Sequence, residues 1–139
     1  MPDHQYDDDR SVEDHFELWR RIPPRHVILD KNTGELRPTS AAFDNDSDGE
    51  PMSILIAMVM TEFGLSSADA LDGHPGYALA SITAGTAREC NQKVVRDPLE
   101  QEPAHGLVVG QKTQGTRRRI ARASRWIVTP PTGGFSIDH

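Results

Sequence analysis

Apolar and polar residues alternate, cluster and pause along this chain in a way that predicts many short elements. Residues 16–22 (FELWRRI) place Phe16, Leu18 and Ile22 on the two-residue period of a half-buried strand, while Trp19 breaks the alternation and is free to cover a second face. Pro23 and Pro24 end that element, because neither can donate to a sheet ladder. Residues 26–29 (HVIL) form a β-branched run closed by a turn at 30–34 (DKNTG), where Asn and Gly tolerate positive φ. Residues 36–43 are expected to return as a strand, and 44–51 (DNDSDGEP) read as a solvated loop.

Residues 52–63 are long enough for a helix capped by Ser53 and rich enough in Ile and Val for a buried strand. The expectation is a strand at the start that gives way before Gly64. Ser66 or Ser67 then caps a short helix through Leu71. Residues 77–83 (YALASIT) alternate like a strand, 84–91 suit a short helix and 93–96 another strand. After an acidic, proline-bounded loop at 97–103, residues 105–109 (HGLVV) have the composition of a central strand. The strongest helical pattern is 116–128: Thr116 offers a cap, and Ile120, Ala123, Ser124 and Ile127 share one stripe. On that helix Arg118, Arg122 and Arg125 occupy a separate face, and Pro130-Pro131 ends it. These elements predict an α+β fold: a mixed or antiparallel sheet, short helices and one C-terminal amphipathic helix laid across it. The expected organisation is a disordered acidic segment at 1–12, a single domain at 13–129 and a tail at 130–139.

At 139 residues the chain is long enough for one core and too short for two. No run nears the roughly 18 apolar residues of a membrane span, so no membrane partner is expected. The acidic start, MPDHQYDDDR, has no apolar segment of the kind a secretory signal needs, which leaves the cytoplasm as the expected compartment. One cysteine, Cys90, excludes an internal disulfide framework and a cysteine-rich zinc site.

The formal net charge of -6 conceals an asymmetry. Acids crowd the head (Asp3, Asp7, Asp8, Asp9, Glu13, Asp14, Glu17), where Arg10 is the lone cation. Between Pro103 and Ile137 there is no acid at all, and Lys112, Arg117, Arg118, Arg119, Arg122 and Arg125 gather there. Three arginines in the first turn of a helix sit against its dipole at about 0.3–1 kcal/mol each. An anion supplied by the acidic head, a partner protein or nucleic acid would offset that cost.

Two arginine sets therefore suggest binding chemistry. Arg20, Arg21 and Arg37, the last beside Thr39 and Ser40, offer guanidinium forks and hydroxyls suited to a phosphate or carboxylate. On a strand Arg20 and Arg21 point to opposite faces, so one at most should line a given pocket. Arg118, Arg122 and Arg125 form the second set. His105 opens a core-like strand after Glu100 and Glu102, a position from which it reaches a cleft. The histidines show no HxH or HxxxH spacing, so no metal site is expected. Cys90 has only Arg88 as a basic neighbour and reads as an inert buried thiol. Neither AGTARE nor GLVVGQKTQG has the features of a phosphate-binding glycine loop. The binding residues singled out are Arg20, Arg37, Ser40, His105, Arg118, Arg122 and Arg125.

Two resemblances add to this reading. Through LWRRIPP, RPTSAAF followed by PMS, and DP followed by PAHGLVVG, the chain resembles a family of small uncharacterised bacterial proteins, a likeness that implies no activity. The order Arg20 or Arg21, Ser53, Glu62 is similar to that in small ADP-ribosyltransferase-like domains, including the RES-type toxins. There an arginine and a serine hold NAD and a glutamate assists cleavage of the nicotinamide bond. That resemblance implies an NAD-consuming enzyme with Arg21, Ser53 and Glu62 as catalytic residues. The principal expectation is a small accessory or binding protein without a cofactor. It would recognise an anionic group or protein partner, within a bacterial multi-protein system of the defence or toxin–antitoxin kind. The NAD enzyme is the alternative. Nucleic-acid binding through the basic helix is a minor third reading, disfavoured by 6% aromatic content and negative net charge.

Overall fold

The computed structural model describes residues 6–47 and 49–131, together with the backbone of a short strand at 136–137. Six antiparallel strands form the main sheet: β1 (Glu17–Ile22), β4 (Met52–Ile56), β5 (Ala78–Thr83), β6 (Lys93–Arg96), β7 (His105–Val109) and β8 (Arg125–Val128), in the order β6-β7-β4-β1-β5-β8. A small second sheet holds β3 (Leu36–Pro38), β2 (Val27–Leu29) and β9 (Ser136–Ile137), with β9 parallel to β2. Helices α1 (Ala57–Glu62), α2 (Ser67–Ala70), α3 (Ala84–Glu89) and α4 (Gln114–Ala123) fill the connections. The fold is α+β.

Directly paired residues share a face of the sheet. Leu18↔Ile56 lies on one face, which joins Ile22, Met52, Val108, Phe43 and Ile120 in the main apolar cluster. Trp19↔Leu55 and Leu55↔His105 lie on the other, more polar face. Gly106 is required where β7 passes beneath Ile54: a Cβ there would meet the Val95 carbonyl oxygen at 2.9 Å.

Some boundaries fall where local pattern placed them. β6 and β7 coincide with the 93–96 and 105–109 runs, and Ser66 caps α2 in a reciprocal capping box with Asp69. Three expectations are revised. The return strand stops at Pro38, and Ser40–Phe43 winds into a 3-10 turn that buries Ala42 and Phe43. The C-terminal helix starts earlier, on Thr113 as cap, and ends at Ala123; Arg125–Val128 is a strand paired with β5. The open ladder of β5 and the β-branched and aromatic Trp126, Ile127 and Val128 outweigh the helical period there.

The acidic head is the third revision. Residues 1–5 lie outside the described residues, but 6–12 are held against β6. Asp9 N donates to the Val94 carbonyl at 2.9 Å, Val94 N donates to Asp8 Oδ1 at 2.8 Å, and Val12 is wholly buried. Arg88 receives Asp8 and Asp14 at 3.1 and 2.7 Å. The head thus covers the β6 edge and α3, not the basic helix. In the tail, 136–137 pair with β2; residues 132–135 and 138–139 lie outside the described residues.

Candidate functional site

Arg20 shows why charge alone does not make a binding site. The β1–β4 ladder ends at Trp19↔Leu55, although β4 continues to Met52. The Arg20 guanidinium takes over at that opening. It donates to the carbonyls of Ser53 (2.8 Å) and Ala42 (3.0 Å) and to Asp46 Oδ1 (2.9 Å). Burial alone would raise the Asp46 pKa, but the Ser53 hydroxyl and Arg20 outweigh it and hold the carboxyl below its ordinary range. Arg21 donates to Glu102 at 2.6 Å and to the Ala70 carbonyl at 2.7 Å.

Because the ladder opens here, Arg20 and Arg21 line one cleft, contrary to strict strand alternation. This cleft, of about 260 Å³, also receives Trp19, Ser53, Glu102 and His105. His105 Nδ1 lies 3.0 Å from both the carbonyl oxygen and Oδ2 of Asp97, which favours a proton on Nδ1. The Ser53 hydroxyl donates to Asp46 Oδ2 at 2.6 Å. Trp19 Nε1 is buried with no hydrogen-bond partner among the described residues. Of the residues implied by the ADP-ribosyltransferase resemblance, Arg21 and Ser53 meet in this cleft. Glu62 sits exposed at the end of α1 and does not line it. The cations and carboxylates here satisfy one another, and the volume is below the roughly 300–1,000 Å³ of most small-molecule pockets.

The second region is different. Helix α4 lies against the 3-10 turn at Ser40–Phe43, and between them runs a groove of about 510 Å³. One wall carries Arg118, Arg122 and Gln114 of α4; the other carries Arg37, Thr39 and Ser40. Arg37 Nε donates to Asp30 Oδ2 at 3.2 Å, so that cation is already matched by a carboxylate in the groove. Arg118 and Arg122 are exposed, lie one turn apart on the same side of α4, and make no ion pair or hydrogen bond within the described residues. The Ser40 hydroxyl has no hydrogen-bond partner among the described residues, and Thr39 Oγ1 is buried without one. The groove therefore gathers four residues from the two arginine sets: Arg37, Ser40, Arg118 and Arg122.

The other predicted binding residues fall elsewhere. Arg20 and His105 belong to the smaller cleft. Arg125 is on β8, where its Nη2 donates to Glu17 Oε1 at 2.8 Å beside the Ser81 hydroxyl. Arg117 reaches Asp44 at 3.1 Å and Arg119 the Glu89 carbonyl at 3.3 Å. Since Gln114 is the first helical residue, the run of arginines begins at the fourth position of α4 and escapes much of the dipole penalty expected in a first turn. Sequence reasoning missed Asp30 as the partner of Arg37, and Gln114 as a wall residue; neither carries a local signal. Cys90 is buried, and that burial raises its thiol pKa above the ordinary value. Among the described residues, no group of three or more His, Cys, Asp or Glu side chains is placed to hold a metal ion, and no helix is long and apolar enough to cross a membrane.

No family model matches the chain, and no significant match exists to a curated protein or a solved structure.

Proposed function

We propose that this chain is a binding protein that holds an anionic group of a protein partner in the groove between α4 and the Ser40–Phe43 turn. One observation carries the reading. Arg20, Arg21, Arg88, Arg117 and Arg125 all meet carboxylates of the chain itself, whereas Arg118 and Arg122 meet none among the described residues and stand exposed on one groove wall. Like charges at this spacing on a helix repel by a few tenths of a kcal/mol. An external anion relieves that repulsion.

A groove with two uncommitted guanidiniums suits a compact charged group better than a nucleic-acid backbone, which needs a longer cationic track. Fluorescence anisotropy with a labelled acidic peptide and with labelled single- and double-stranded oligonucleotides tests this. The peptide should bind, lose affinity with salt at a log–log slope near -2, and be released by R118E/R122E. Absence of binding to the peptide, both with and without a phosphoserine in it, overturns the proposal. So does tighter binding of an oligonucleotide with a slope of about -5 or steeper, which would report many phosphates neutralised.

A further inference from the structure

Resting on that reading, we infer that the anionic group is a phosphate monoester and not a carboxylate. The argument begins with charge. Among the described residues that line the groove, Arg37 and Asp30 pair, which leaves the two positive charges of Arg118 and Arg122. A carboxylate brings one negative charge, which balances one guanidinium. The second arginine would stay unmatched beside the first. A phosphate monoester carries about -1.5 to -2 charges near pH 7, which matches the pair.

The uncharged groups point the same way. A phosphate monoester has three terminal oxygens, one more than two guanidinium contacts need. Ser40 lines the groove, its hydroxyl with no partner among the described residues, and the neighbouring Thr39 hydroxyl is buried with none. Buried hydroxyls in proteins are nearly always bonded, so an orphan beside a cationic wall marks a place where an acceptor belongs. Ile28, Pro38 and Ala121 complete the lining. That apolar surface suits the carbon side of an ester, and the groove exceeds what a free phosphate ion fills.

The test uses the full chain with isotopically labelled arginine side chains, titrated with N-acetyl-phosphoserine amide and N-acetyl-glutamate amide while the Arg118 and Arg122 Nε–H resonances are followed. The phosphoserine derivative should bind at least about tenfold more tightly at pH 7.5. That advantage should shrink as pH falls below about 6, where the second phosphate ionisation is lost. S40A should weaken the phosphoserine derivative severalfold and the glutamate derivative less. T39V should weaken the former without lowering thermal stability, since it removes a hydroxyl that has no partner among the described residues. Equal affinity for the two ligands overturns the phosphoryl assignment and leaves the anion groove standing. No shift with either ligand overturns both.

Discussion

Replacing Arg20 with Met removes the charged fork but keeps much of the packed stem, so it isolates what the guanidinium does at the β1–β4 opening. The side chain is 17% exposed and its partner Asp46 37% exposed. Three acceptors lie within 3.0 Å: the carbonyls of Ala42 and Ser53, and Asp46 Oδ1. A hydrogen bond to a charged group contributes about 1.5–3 kcal/mol when well shielded. Asp46 rehydrates readily at its exposure, and the loop carbonyls do so in part, so about 1 kcal/mol for each acceptor is the better figure. The expected loss is therefore about 3 kcal/mol, a large share of the roughly 5–15 kcal/mol that holds a domain together. In urea, followed by the fluorescence of Trp19 and Trp126, the midpoint should fall by about 1.5 M for a slope near 2 kcal/mol per molar. A double-mutant cycle with D46N should return about 1 kcal/mol of coupling. The pH dependence has a definite sign. The folded pKa of Asp46 is lowered, so its contribution is complete above the ordinary value of 3.8 and disappears as pH falls through the lower folded value. The penalty of R20M should shrink accordingly in strong acid. A midpoint shift below about 0.3 M at neutral pH would show that water replaces the guanidinium at little cost, and the account of the opening would be wrong.

Arg88→Met should free the 6–12 segment, speeding amide exchange at Val94 and costing about 2 kcal/mol. For Asp8, burial would raise the pKa, but the Val94 amide and Arg88 outweigh it and hold the pKa down; for Asp9 the Ser11 hydroxyl and amide lead, again downward. The stability they contribute is thus present above about pH 4 and lost below it, and an acid titration of the wild type against R88M should show a steeper fall in the wild type. Gly106→Ala drives a Cβ into the Val95 carbonyl oxygen at 2.9 Å and should cost about 1–3 kcal/mol in thermal or urea unfolding; a neutral result would mean that β6 and β7 separate easily. Ser66→Ala deletes the cap of α2 and should cost about 1 kcal/mol, with increased exchange confined to residues near 66–70.

The sequence by itself determined the elements whose signals are local. The apolar runs at 93–96 and 105–109, the Ser66 cap of a short helix, and the strand at the start of 52–63 are all written in near neighbours, and the α+β class follows from their sum. Tertiary structure decided whatever depended on a distant partner. The segment at 125–128 had a helical stripe, yet it became a strand because β5 had an open edge. The acidic head looked solvated, yet Arg88 and the β6 edge hold it, some 80 positions away in the chain. The same holds for the arginines. Composition counted them alike, but Arg20 and Arg21 meet carboxylates brought in by other loops, whereas α4 presents Arg118 and Arg122 beside a turn from residues 40–43 with no acid of the described chain against them. Whether a guanidinium is spent inside the fold or left for a ligand is fixed by contacts between segments remote in sequence, and no local pattern encodes those contacts.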